Sequence, residues 1–169
     1  METAQQSGEN LESKYKQRNN ISRMLKHMGE LNDVFERRWH TLELRSTRQK
    51  ITLPPKEQLR KLLYQSFSNG FKCDYCQTQL KIKDAYPYHS VFSFEHKKSI
   101  HCGGDNNIEN LSVVCHRCNV TKGPMSEETW RAIIEHLPPE LFNRMCNELF
   151  SASISKELKR QGLSRDEKE

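Results

Sequence analysis

Two Cys-x-x-Cys pairs, Cys73/Cys76 and Cys115/Cys118, bracket a segment that holds Glu95-His96, Gly103-Gly104 and Asn110. The second pair runs directly into Asn119-Val-Thr-Lys122-Gly123. Each pair can present two thiolates to one ion from a single tight turn, and four thiolates complete the tetrahedron that Zn²⁺ takes. A four-thiolate set leaves no position for substrate, so the ion it implies is structural. It would close the loop from 77 to 114 and stabilise a segment too small to bury much apolar surface. Redox-active dithiols or chance are the alternative readings; a single pair would leave them open, and two pairs weigh against them. Three disulfides are arithmetically possible among six cysteines, but disulfide scaffolds belong to secreted chains. Cys102 and Cys146 stand outside the pairs and read as free thiols.

The residues between the pairs are those that metal-assisted cleavage of a phosphodiester requires: something to activate water, an electrophile on the phosphate, and help for the leaving oxygen. An imidazole ordinarily titrates at roughly 6.5 and accepts a proton near neutrality, which makes His96 a candidate general base. Glu95 offers a hard anionic oxygen of the kind Mg²⁺ or Mn²⁺ prefers. Neighbours on a strand point to opposite faces, so both can serve one site only where the strand ends or twists. Lys97-Lys98-Ser99 provides such an end.

These motifs resemble the HNH endonuclease family, the ββα-metal nucleases. The resemblance rests on Glu95-His96, Gly103-Gly104, Asn110-Leu111 and Cys115-x-x-Cys118-Asn119-x-x-Lys122-Gly123, and it covers Cys73 to Gly123, about a third of the chain. It implies His96 as the base that deprotonates the attacking water. It implies Asn110 as the middle asparagine, ordering the loop and orienting the imidazole through a backbone carbonyl. Glu95 and Asn119 become ligands of a catalytic Mg²⁺ or Mn²⁺, separate from a structural Zn²⁺ on the four cysteines. Three positions depart from the family pattern: Glu95 stands where Asp is usual, Ser99 where Pro is common, and Asn119 where His is the alternative.

Plainer readings stand beside these. Asn110 and Asn119 can also serve as turn or helix caps. Gly103-Gly104 suits a loop with positive φ whatever the function. His101 and His116 flank the segment as auxiliary ligands or phosphate contacts or, more simply, as solvated histidines. Lys97, Lys98, Arg117 and Lys122 are candidate phosphate contacts, with a solvated face as the alternative for the Lys97-Lys98 pair.

The elements that must position these residues follow from periodicity. Ile21, Met24, Leu25, Met28, Leu31, Val34 and Phe35, with Trp39 after them, recur at three and four and predict an amphipathic helix over about 11–44. Residues 1–10 are polar and expected to fray, and 46–50 to form a linker. Leu59, Leu62, Leu63 and Phe67 predict a helix from Pro55 to about Ser68, capped at Gly70. Short strands are expected at Leu80–Lys83, Val91–Phe94 and Leu111–Val114. A helix opens near Cys118 and is stopped by Gly123-Pro124. Ser126 caps the next, which Pro138-Pro139 break, and another runs through Leu141, Phe142, Met145 and Leu149 towards Lys159; disorder is expected from Gln161.

The expected fold is therefore α+β, a small ββα-metal core stapled by a four-cysteine zinc site and flanked by N- and C-terminal helices. Its domains are expected at 1–54 (helical extension), 55–125 (nuclease core) and 126–169 (C-terminal helices and tail). A net charge of +5 among 169 residues suits an anionic partner without specifying one. With the resemblance, that partner is expected to be double-stranded DNA, and the flanking helices could carry a protein partner. No apolar run of ~18 residues or secretory signal is seen, so an intracellular chain away from the membrane is expected, cytoplasmic or in the nucleoid or nucleus. The function expected is a divalent-metal-dependent HNH endonuclease cutting DNA. The alternative is a zinc module that binds nucleic acid or protein without cutting.

Overall fold

The computed structural model describes residues 3–49, 52–83 and 88–160. The expected disorder from Gln161 lies outside the described residues. The chain divides into two compact units, residues 1–42 and 43–169. Helix α1 (Thr3–Gln49) begins in the first and ends in the second. It is longer at both ends than its apolar pattern, because Gln, Glu, Lys and Arg propagate a helix nearly as well as Ala and no proline interrupts them. Residues 3–10 and 46–49, expected to fray and to form a linker, are thus helical instead. The stripe Leu31, Val34, Phe35 and Trp39 is buried, with Phe35 stacked on Trp39 at 6.4 Å between ring centroids.

In the second unit, Pro55 pre-sets φ at the entrance of α2 (Lys56–Ser68), and its carbonyl accepts from the Gln58 and Leu59 amides. Leu59 and Leu63 are fully buried, each contributing roughly 1.5–3 kcal/mol by leaving water. The helix ends at Asn69, and Gly70 takes the left-handed φ of 92° expected of a C-terminal cap. Strands β1 (Phe92–His96) and β2 (Leu111–Cys115) pair antiparallel, with Glu95 opposite Ser112 and His96 opposite Leu111. Helix α3 (His116–Lys122) follows β2 without a loop and packs back on β1, completing ββα. The expected strand at Leu80–Lys83 does not form. Lys81 makes one isolated bridge, to Val91, and the alternation there records a single buried residue, Leu80, rather than a ladder.

Helix α4 (Glu127–His136) starts at Ser126, whose hydroxyl accepts from the Thr129 amide, and α5 (Pro139–Arg160) follows. Both lie in the same compact unit as the hairpin. Two aromatic runs fill the interior. Phe71 meets Phe67 at 5.5 Å and Phe92 at 5.8 Å. Trp130 meets Tyr75 at 6.5 Å and Phe142 at 5.7 Å, which ties α4 and α5 to the first cysteine turn. The class is α+β: five α-helices and one two-stranded sheet among the described residues. No described helix is long and apolar enough to cross a membrane.

Candidate active site and metal centre

The four paired cysteines converge. Their sulfurs all lie within 4.8 Å of one another, and Cys76 and Cys115 are 3.7 Å apart. Thiolates about 2.3 Å from a tetrahedral zinc are separated by about 3.8 Å along each edge, so the cluster has the dimensions of a zinc cage. Two turns build it. In the first, the Cys73 amide bonds the Thr78 carbonyl and the Gln77 amide bonds the Cys73 carbonyl. Gln77 closes that turn at φ 58°. In the second, the Cys118 amide donates to the Cys115 sulfur at 3.3 Å as α3 begins. Asp74 stitches the first turn to β2: its carboxylate accepts from the Val113 amide, and its own amide bonds the Val113 carbonyl. Hydrogen bonding from Cys115 holds the Cys76 thiol far below its ordinary range, while the same neighbour holds Cys118 far above it. Four thiols this close cannot all ionise against one another, and a bound dication is what lets them.

The loop after β1 is organised by Asn110. Its Oδ1 accepts from the Lys98 amide at 2.8 Å, and its Nδ2 donates to the carbonyls of Lys98 at 3.0 Å and Asp105 at 2.7 Å. Its backbone carbonyl accepts from the Lys97 amide at 2.9 Å. One side chain thus fixes both ends of the 98–105 loop. The glycine pair serves two different needs. Gly103 takes φ 77°, the left-handed region. Gly104 does not, but a Cβ there would lie 2.0 Å from the Lys98 carbonyl oxygen, which no side chain can occupy. Ser99, where the family favours proline, caps the short helical turn of Ile100–Cys102 by accepting from the Cys102 amide.

This ββα hairpin with its cysteine cage and asparagine-locked loop has a known counterpart. Residues 73–124 match the family model of HNH endonucleases. No curated protein matches the chain. The match brings a nuclease family to residues 73–124, while α1, α2, α4 and α5 lie outside it.

Within the HNH segment, His96 is the last residue of β1 and half-buried. Its Nε2 lies 2.7 Å from Asn106 Oδ1. The imidazole is therefore held on Nε2 by a side chain of the loop. Glu95 is turned to α3. It is 5 % exposed, and its Oε1 is 2.8 Å from the Lys122 ammonium. Burial lifts its carboxyl above the ordinary range, against the opposing pull of Lys122. Lys122 is itself 0 % exposed and donates a second bond to the His96 carbonyl at 2.9 Å. The expectation that Lys122 reaches phosphate is corrected accordingly: its charge is directed inward by helical spacing. Asn119 lies three residues earlier on the same face of α3, and its Nδ2 donates to Ser93 Oγ at 2.6 Å and the Phe94 carbonyl at 3.1 Å.

Arg117 is half-buried and turns to α5. Its guanidinium bonds Asn147 at 3.1 Å and Asn143 at 3.2 Å, tying α3 to α5. Lys97 reaches the Glu109 carbonyl at 2.8 Å. Of the four basic candidates, Lys98 is the exposed one. His116 is half-buried and packs edge-on against Phe150 of α5 at 5.5 Å, whereas His101 is exposed. The positions that sequence reasoning missed are Asn106 and Ser93. Ser93 had a signal, its strand alternation with Glu95; Asn106 was one of several polar loop residues and had none.

Proposed function

We propose that this protein is a divalent-metal-dependent endonuclease that hydrolyses DNA phosphodiester bonds, with His96 as general base. The observation that carries the reading is the placement of His96: half-buried at the end of β1, its ring anchored on one nitrogen, within a segment matched to a nuclease family. His96 would take the proton from the attacking water. Asn110 would hold the 98–105 loop against the strand end, and the exposed Lys98 would meet the phosphate backbone of duplex DNA.

The donors available for a catalytic ion are hard oxygens. The Asn119 amide nitrogen is taken up by Ser93 and Phe94, which leaves its Oδ1 as the ligand atom, and Glu95 retains the oxygen that Lys122 does not touch. This donor set suits Mg²⁺ or Mn²⁺. An ion held there would stabilise charge developing on the phosphate and on the leaving 3′ oxygen. A structural Zn²⁺ belongs on Cys73, Cys76, Cys115 and Cys118, where it fixes β2 and α3 to the first cysteine turn. The helices outside the matched segment would widen the footprint on DNA or carry a protein partner.

A second reading, a zinc module that binds without cutting, is favoured by the ammonium of Lys122 on Glu95, which neutralises the anionic ligand. Incubating purified protein with plasmid and Mg²⁺, Mn²⁺ or EDTA separates the two. Cleavage that needs a divalent ion and falls about 10²–10⁴-fold in His96→Ala, with zinc content and DNA affinity retained, supports the nuclease. No cleavage by the parent protein under any divalent ion leaves the binding module.

A further inference from the structure

We infer that Asn106 is a positioning residue that sets the tautomer of His96, holding the ring proton on Nε2 and leaving Nδ1 as the basic nitrogen. This rests on reading His96 as the base, and it adds which nitrogen acts and what selects it.

A contact between an imidazole nitrogen and an amide is ordinarily ambiguous twice over, since the ring has two neutral tautomers and the amide two orientations. Here a third group removes both ambiguities. The Nδ2 of Asn106 donates to the backbone carbonyl of Thr52, and a carbonyl oxygen can only accept. Turning the amide over would set two acceptor oxygens against each other at Thr52. The amide oxygen must therefore be the atom facing His96, at 2.7 Å from Nε2. An amide oxygen also can only accept, so Nε2 must donate. A neutral imidazole carries one ring proton, and Nδ1 is left bare to receive another.

The amide is held from both sides. Asn110 bonds the Asp105 carbonyl, and the Asp105 carboxylate accepts from the Asn107 backbone amide at 3.1 Å and from its side-chain amide at 2.6 Å, which fixes the backbone on either side of Asn106. Thr52 lies two residues before Pro54, which is buried at the entrance of α2. The proton position on His96 is thus set by a relay that begins outside the matched segment, at Thr52 in the stretch before α2.

The test combines kinetics with ¹⁵N spectra of histidine-labelled, zinc-loaded full-length protein, in which a proton-bearing ring nitrogen is distinguished from a bare one. The parent should carry the His96 proton on Nε2. Asn106→Ala should lose that single tautomer and lower kcat about 10–100-fold, the usual cost of removing an outer-shell partner, with KM and zinc content unchanged. Asn106→Asp keeps an acceptor for Nε2–H but sets a second acceptor against the Thr52 carbonyl, so it should keep the Nε2 proton and recover only part of the rate. A parent proton on Nδ1, or an Asn106→Ala spectrum and rate like the parent's, overturns the inference. The spectra decide the tautomer even if the parent does not cut, so failure of the nuclease reading is seen separately, as no cleavage by the parent or as unaltered cleavage in His96→Ala.

Discussion

Replacing Lys122 by methionine puts the interior of the site under the sharpest test. Methionine keeps an unbranched stem of similar length, so the packing of the lysine stem persists and the change is mainly electrostatic. The ammonium is fully buried, 2.8 Å from a carboxylate that is itself 5 % exposed, and it also satisfies the His96 carbonyl. Removing one partner of such a pair leaves the other charge uncompensated, a loss of roughly 3–5 kcal/mol. The orphaned carbonyl places the value towards the upper end of that range. Replacing both partners, Glu95→Leu with Lys122→Met, removes the isolated charge and should return most of the loss. Acidity gives an internal check. Burial already lifts the Glu95 carboxyl, and losing the ammonium lifts it further. A carboxyl raised in the folded state contributes stability that is present below its unfolded pKa and lost as pH rises through the folded one. The deficit of Lys122→Met relative to parent should therefore narrow on acidification and widen towards neutrality. Urea unfolding of zinc-loaded protein, at several pH values above the point where thiolates release zinc, measures all of this. A single-variant loss below about 1 kcal/mol, as for an exposed pair, or a double variant no better than the single, would refute the buried-pair account.

Three further outcomes are expected. Elemental analysis should find one zinc per chain, and Cys118→Ser should unfold the hairpin and α3 together rather than only slow a reaction; disulfides among the four cysteines would count against the cage. Gly104→Ala should cost roughly 2 kcal/mol or more and disorder the 98–105 loop, since its Cβ meets backbone at 2.0 Å; a melting temperature equal to the parent's would contradict this. Affinity for duplex DNA should fall with salt at a log–log slope of about −0.9 per phosphate contacted, and Lys98→Ala should lessen that slope by about one contact. An unchanged slope removes Lys98 from the interface.

Much of the protein was legible from local pattern. Cysteine spacing specified the metal cage because each pair is a single turn and thiolate chemistry does not depend on what surrounds it. Helical periodicity and punctuation by Pro55, Gly70, Ser126 and Pro138-Pro139 located the helices, since these residues act on their own backbone. The spacing of Glu95-His96, Asn110 and Asn119 located the hairpin and the helix that carry the candidate chemistry. What the sequence left open was direction. A lysine or an arginine reads as a free surface charge until a neighbouring element engages it, as Glu95 of β1 engages the buried Lys122 and Asn143 and Asn147 of α5 engage Arg117. The apolar alternation of Leu80–Lys83 read as a strand because periodicity reports burial, not the partner that would make a ladder. Asn106 looked like any polar loop residue, because its meaning depends on Thr52, remote in the chain, and on which of two atoms faces His96. Chain-local chemistry fixes ligands, caps and periods; only tertiary structure decides which donor meets which acceptor, because a hydrogen bond or a buried charge is defined by its partner.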